Sequence, residues 1–179
     1  MEKTLLIYNK KMGGNMLNLA KDLGKMVNAV VEPDFDTKKQ SLLVKKIMAY
    51  EDCENCIFFE CTKRNNRIWL ANTTKSYKFL IEFAESIFDM STVHNFHKKS
   101  GYALFFNEEF DLHMKEVFER IFYDDSAKKE RALVLYQSEN KIYISHFRLD
   151  NQKEIGPRII LKLEKEFEGC FEGKVRKIN

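Results

Sequence analysis

A chain of 179 residues, 44% of them hydrophobic and fifteen of them Phe, can bury one substantial core or two small ones sharing a sheet. Thirty Lys and Arg against twenty-seven Asp and Glu leave a net charge of +3, so only local clustering of cations could supply a phosphate-binding surface. No apolar run approaches the roughly 20 residues that cross a bilayer, and the charged start Met1-Glu2-Lys3 lacks a secretion signal's apolar stretch, which predicts a soluble, unsecreted protein.

Thr4 to Tyr8 reads as a short first strand. Gly13-Gly14-Asn15 breaks the chain, with Asn15 as the expected N-cap of a helix whose apolar stripe is Met16, Leu19, Ala20, Leu23, Met26 and Val27. Ala29 to Val31 is a brief strand stopped by Pro33. Thr37-Lys38-Lys39-Gln40 has the spacing of a capping box, and Leu43, Val44, Ile47 and Met48 continue that helix to about Glu51. Its lysines read as a solvated face.

The chain is organised around Cys53 to Phe83. Cys56 to Cys61 is too apolar to alternate, so it reads as a strand covered on both faces. Lys63 to Arg67 is a basic turn, and Ile68 to Ala71 returns as the partner strand. Tyr77 to Phe83 is a further strand, followed by a short helix. The polar stretch 91–100, with His94, His97, Lys98 and Lys99, is the expected linker between an N-terminal half (1–90) and a C-terminal half (101–179) of one domain.

The second half repeats the plan. Gly101 to Asn107 is a strand, Asn107 an N-cap, and Phe110, Met114, Val117, Phe118, Ile121 and Phe122 the apolar stripe of a helix. Asp124 to Arg131 reads as a charged loop. Ala132 to Tyr136 and Lys141 to Phe147 form a hairpin turning at Ser138-Glu139-Asn140, and Ile159, Leu161 and Leu163 alternate in a last strand. The fold class is therefore α/β (α+β), as two strand-helix-hairpin-strand halves packed into a single body.

No reactive constellation stands out. Gly13-Gly14 lacks the phosphate-loop and dinucleotide patterns, and no general acid is placed with a base. The four cysteines include one C-x-x-C pair, Cys53 and Cys56, without the second pair that zinc wants, so they read as structural thiols. No cofactor and no metal are expected, and the chain does not read as an enzyme.

Three groups of residues carry a family resemblance: Cys56-Ile57-Phe58-Phe59-Glu60-Cys61 with the Trp69 strand behind its basic turn; Lys78-Phe79-Leu80; and, far downstream, Glu154-Ile155-Gly156-Pro157-Arg158 followed by a strand and Phe167 to Gly173. Their order and wide separation resemble the Brix domain family of ribosome-assembly factors, and within it a large-subunit member reduced by its flanking basic tails. That resemblance implies an internally duplicated Brix-domain fold. It also implies a non-enzymatic factor in nucleus and nucleolus that binds pre-rRNA of the large subunit and other assembly factors on the pre-ribosomal particle. No membrane and no small-molecule substrate are implied.

The candidate RNA contacts are Lys63, Arg64 and Arg67 on the hairpin, Lys75 and Lys78 after it, Lys98 and Lys99 in the linker, and Arg148 and Arg158 in the second half. Arg158 has a second reading, that it pins the Gly-Pro turn to the sheet. Trp69 reads as core rather than as a base-stacking platform. The alternatives in function are a protein-interaction scaffold on pre-ribosomes that touches no RNA, a small-subunit paralogue, or a tRNA anticodon-binding-like domain.

Overall fold

The computed structural model describes residues 2–27, 29–35, 41–90 and 101–178. In chain order the elements are β1 (Thr4–Ile7), α1 (Gly14–Met26), β2 (Ala29–Glu32), α2 (Ser41–Tyr50), β3 (Asn55–Cys61), β4 (Asn66–Asn72) and β5 (Ser76–Glu85), followed by β6 (Gly101–Phe106), α3 (Leu112–Ile121), β7 (Lys129–Ser138), β8 (Lys141–Arg148), β9 (Arg158–Phe167) and β10 (Val175–Lys177). Among the described residues the strands form one sheet in the order β2-β1-β3-β4-β5-β9-β8-β7-β6, with β10 against β9.

The connections dictate the pairing. Where a helix intervenes, β1 with β2 and with β3, and β6 with β7, the strands are parallel; where a short turn intervenes they are antiparallel. The strands β1, β3, β4, β5 and the strands β6, β7, β8, β9 thus share one order of pairing senses. β2 and α2 have no counterpart in the second half among the described residues. The halves meet where β5 runs antiparallel to β9, from Ser76 opposite Phe167 to Glu85 opposite Arg158, with two bulges on the way.

Two layers of core follow from the strand period. On the inner face, α1 and α3 cover Leu6, Ile57, Phe59, Tyr77, Phe79, Leu133, Ile144 and Leu161. The stripes predicted for both helices are the ones buried, Met16, Leu19, Ala20, Leu23 and Met26 on α1 and Met114, Val117, Phe118 and Ile121 on α3. On the outer face, Val44 and Met48 of α2 and the segment Cys170-Phe171 cover Leu5, Ile7, Cys56, Phe58 and Trp69. The expectation that the Cys56 to Cys61 strand is covered on both faces therefore holds, because Ile57 and Phe59 enter one layer and Cys56 and Phe58 the other.

Several local expectations give way to tertiary geometry. The N-cap of α1 is Gly13, without a side-chain bond, and the Asn15 side chain instead reaches the Ala84 carbonyl at 3.4 Å. Asn107 is not a cap either: it donates to the Gln137 carbonyl at 2.9 Å and accepts from the Gln137 amide at 2.8 Å, tying the end of β6 to β7. The helix starts later, capped by Asp111, whose carboxylate accepts from the Met114 amide at 2.8 Å. That delay lets Phe110 turn inward between Phe106 and Phe118, with ring centroids 4.9 and 5.7 Å apart.

The helix expected after Phe83 is a single turn, since β5 runs on to Glu85 and is stopped by Ser86, whose carbonyl accepts from the Met90 amide at 3.2 Å. The charged loop expected at Asp124 to Arg131 ends early, because Lys129, Glu130 and Arg131 are already strand. β10 was not anticipated from the residue pattern. The capping box at Thr37 to Gln40 and the linker 91–100, including His94 and His97, lie outside the described residues.

Asp22, on α1, is nearly fully buried and accepts a hydrogen bond from the Ile87 amide at 2.8 Å, which fixes the turn after β5 onto the helix. Burial raises the pKa of its carboxyl above the ordinary value. A carboxyl with a raised folded pKa gives stability that is fully present below its unfolded pKa and is lost as pH rises through the folded one. Asp22→Asn keeps the acceptor and removes the charge. Its thermal midpoint is therefore expected to exceed the parent's at pH 7, with the gap closing as pH falls toward about 4, where the unfolded group titrates. In the inner core, Phe118 is wholly buried against Phe79, Phe110 and Phe122. Urea unfolding should show a loss of about 3–5 kcal/mol for Phe118→Ala.

Candidate nucleic-acid interface

The hairpin between β3 and β4 is built by Thr62. Its hydroxyl accepts from the amides of Arg64 and Asn65 at 3.3 and 3.1 Å, and its own amide donates to the Asn65 carbonyl at 2.9 Å. With the turn's own polar groups satisfied in this way, Lys63 and Arg64 project into solvent. Neither has an acidic partner among the described residues.

Facing this tip is the loop between β1 and α1. The Asn9 side chain accepts from the Lys11 amide at 2.8 Å and donates to the Phe35 carbonyl at 3.1 Å, while Lys10 pairs with Asp34 at 3.0 Å. Lys11 is left exposed. Between loop and hairpin lies a cleft of about 520 Å³ lined by Asn9, Lys11, Met12, Gly13, Cys61, Thr62 and Lys63. Gly13 presents no side chain at the N-terminus of α1, so two lysines and the positive end of a helix border the same cleft. Lys11 is not among the residues expected from sequence, although the run Lys10-Lys11-Met12-Gly13-Gly14 carries a visible signal.

The remaining candidates are held differently. Arg67 is a strand residue rather than a turn residue, and its guanidinium grips Glu164 of β9 through two bonds of 2.7 and 3.2 Å. The Glu164 hydrogen bond raises the pKa of Arg67. Lys78 pairs with Glu60 at 2.7 Å and lies 4.8 Å over the Trp69 ring, whose indole N–H donates to the same Glu60 at 2.7 Å. Lys75 pairs with Glu166 at 3.6 Å. Arg67 and Lys78 thus link β3, β4, β5 and β9 on the outer face beside Trp69, whereas Lys75 reaches Glu166, which stands opposite the inner-core Tyr77.

Arg148 binds Asp150 in the turn after β8, its Nε at 2.9 Å. Arg158 holds Glu154 with its Nε at 2.8 Å and Glu85 of β5 at 3.7 Å, an arrangement that fastens the Gly-Pro turn to the sheet. The Glu154 hydrogen bond raises its pKa. Lys98 and Lys99 lie outside the described residues. The candidates therefore fall into separate groups: an outward tip at Lys63 and Arg64, an ion-paired set at Arg67, Lys75 and Lys78, and Arg148 and Arg158 elsewhere in the second half.

Trp69 is core, 7% exposed, with its ring 5.0 Å from Phe167 and 5.4 Å from Phe171. Cys53, Cys56 and Cys170 are buried and Cys61 half-buried, all free. Burial pushes the thiols of Cys61 and Cys170 up to about 11 and that of Cys56 well above its ordinary value, so they stay protonated and unreactive at neutral pH. Among the described residues no three His, Cys, Asp or Glu side chains are grouped to hold a metal ion.

The role of Glu60 is testable by itself. Glu60→Ala removes the acceptor shared by Trp69 and Lys78, leaving a buried indole N–H without its partner. A loss of about 1–3 kcal/mol is expected in equilibrium unfolding.

No family model matches the chain. Over 96% of its length it is 25% identical to the ribosome biogenesis protein BRX1 homologs of Xenopus laevis and Homo sapiens, covering 56% and 54% of those proteins. It is 23% identical to the ribosome biogenesis protein BRX1 of Saccharomyces cerevisiae, covering 70% of it. The chain thus spans about half the length of the first two. Its fold is similar to the crystal structure of a "probable ribosomal biogenesis protein" from Aeropyrum pernix K1, with a TM-score of 0.57 over 90% of this chain and 95% of the other, at 8% identity.

Proposed function

We propose that this chain, a relative of the Brix-family ribosome biogenesis proteins over nearly its whole length, is a non-enzymatic ribosome-assembly factor that binds pre-rRNA. In this reading it is one domain made of two halves, acts in the nucleolus on the maturing large subunit, and associates there with other assembly factors. The observation that carries the reading is the coverage: the similarity to BRX1 proteins runs through both halves rather than through one motif. A single sheet passing without interruption across both halves supports treating them as one domain.

The cleft beside the β3–β4 hairpin supplies the phosphate contacts. Lys11, Lys63 and Arg64 converge on or beside it without acidic partners among the described residues, whereas Arg67, Lys75, Lys78, Arg148 and Arg158 would each have to leave a carboxylate to meet a phosphate. Each phosphate contact releases condensed counterions, so affinity falls linearly with salt on logarithmic axes.

One observation favours the protein-scaffold reading as a second possibility. β6 ends the sheet with Gly-Tyr-Ala-Leu-Phe-Phe, uncharged, and among the described residues no strand pairs with its outer edge.

Filter binding of a large-subunit rRNA fragment between 50 and 300 mM salt tests the two. Lys11→Gln, Lys63→Gln and Arg64→Gln combined should reduce the salt slope by about two to three units, close to 0.7–0.9 per lost contact, while Arg67→Gln changes it little. A salt-insensitive interaction, or co-purifying proteins that survive nuclease and high salt without any RNA affinity, would instead support the scaffold.

A further inference from the structure

In the first half the outer face of the sheet is covered by α2, but the same face of the second half carries no helix among the described residues. Strand register fixes what that bare face presents. Tyr136 of β7 lies opposite Tyr143 of β8, Tyr143 opposite Ile160 of β9, and Ile160 opposite Phe83 of β5, a row crossing four strands. Tyr136, Phe83 and Tyr143 are 48%, 42% and 37% exposed, and the two tyrosine rings sit 6.1 Å apart, tilted by 56°. Phe105, 51% exposed, extends the patch from the edge strand beside Val134. A contiguous aromatic surface of this kind on a protein in water calls for a ligand.

The neighbouring row, two residues along the strands and so about 7 Å away, supplies charge. Lys141 and Lys162 face each other directly across β8 and β9, a like-charge pair that repels when nothing compensates it. Glu82 pairs with Lys141 at 2.6 Å, and Lys162 has no acidic partner among the described residues. Within the row two lysines stand against the one carboxylate of Glu82, and Glu139 of the β7–β8 turn acts on Lys141 rather than pairing with Lys162. An apolar helix laid across the face would strip water from Lys162 and return nothing for it.

We infer that this open face takes unpaired RNA bases, stacked on Tyr136 and Tyr143, with the strand's phosphates running past Lys162. The inference rests on the RNA-binding reading above and adds a second surface to it, separate from the cleft at the β3–β4 hairpin. Single strands suit it because their bases can splay onto aromatic rings while the backbone follows cations, and stacking needs no particular sequence. A blunt duplex hides its base faces and should bind this surface poorly.

The test is a fluorescence titration of the full chain with a labelled ten-nucleotide oligouridylate and, separately, a blunt RNA duplex of the same length. The parent should favour the single strand. Tyr136→Ala with Tyr143→Ala should weaken single-strand binding by about 5- to 150-fold for each base whose stacking is lost. Tyr136→Phe with Tyr143→Phe should retain binding, since the ring faces remain, and Lys162→Gln should lower the salt slope by about 0.7. Circular dichroism confirms that each variant is folded.

If the alanine pair binds the oligonucleotide as the parent does while the Lys11, Lys63 and Arg64 variant loses affinity, the face is not an RNA surface and only this inference falls. It falls equally if the alanine pair keeps RNA but loses a co-purifying protein. If the parent binds neither oligouridylate, duplex nor rRNA fragment, the RNA-binding reading fails and takes this inference with it.

Discussion

Everything in the molecule depends on the antiparallel pairing of β5 with β9. It is the long seam through which two partial sheets become one, and both bulges in it fall where the chain must keep its apolar residues facing the helices. Before the first bulge Lys78 faces Lys165 on the outer side; after it Phe79 faces Leu163 within the inner core. The second bulge lets Ala84 stay packed on the inner core while Phe83 moves to the outer face. Without this seam each half would expose the flank of a sheet too small to bury its own helix. The Arg67–Glu164, Lys75–Glu166 and Arg158–Glu85 pairs reach across the same seam or its neighbouring strands. Where such pairs are partly shielded from water they help fix register, even though exposed ones add little stability.

The same seam explains the asymmetry of the outer face. The first half uses α2, Cys170 and Phe171 to cover its strands, producing a second core around Phe58 and Trp69. Among the described residues the second half has only α3, and α3 belongs to the inner layer. Among the described residues no helix covers the outer aromatic row of this half. Meanwhile the loop and hairpin beside the N-terminus of α1 lie toward the other flank of the sheet, away from that row.

Much of the architecture was legible because it rests on short-range periodicity. The helical stripes at Met16 to Met26 and Met114 to Ile121, the two-sided burial of Cys56 to Cys61 and the alternation at Ile159 to Leu163 were all written in spacing. Asn15 and Asn107 do not cap their helices, because an Asn before a helix satisfies the local rule equally well when tertiary partners claim it. Ala84 and Gln137 did so here, from far along the chain. The strand that begins at Lys129 was hidden for a related reason: its first residues are charged, and only pairing with β6 and β8 makes them strand.

The candidate site shows the boundary most clearly. Sequence by itself determined that Lys63 and Arg64 occupy an exposed turn, that Trp69 belongs to the core, and that the chain resembles a family of ribosome-assembly factors. Only the tertiary structure decided that Arg67, Lys75 and Lys78 are already engaged by Glu164, Glu166 and Glu60, and that Lys11 joins Lys63 across a cleft. The physical reason is distance along the chain. A lysine's period or turn context is set by its immediate neighbours, whereas the carboxylate that neutralises it can stand almost a hundred residues away, brought close by strand order alone.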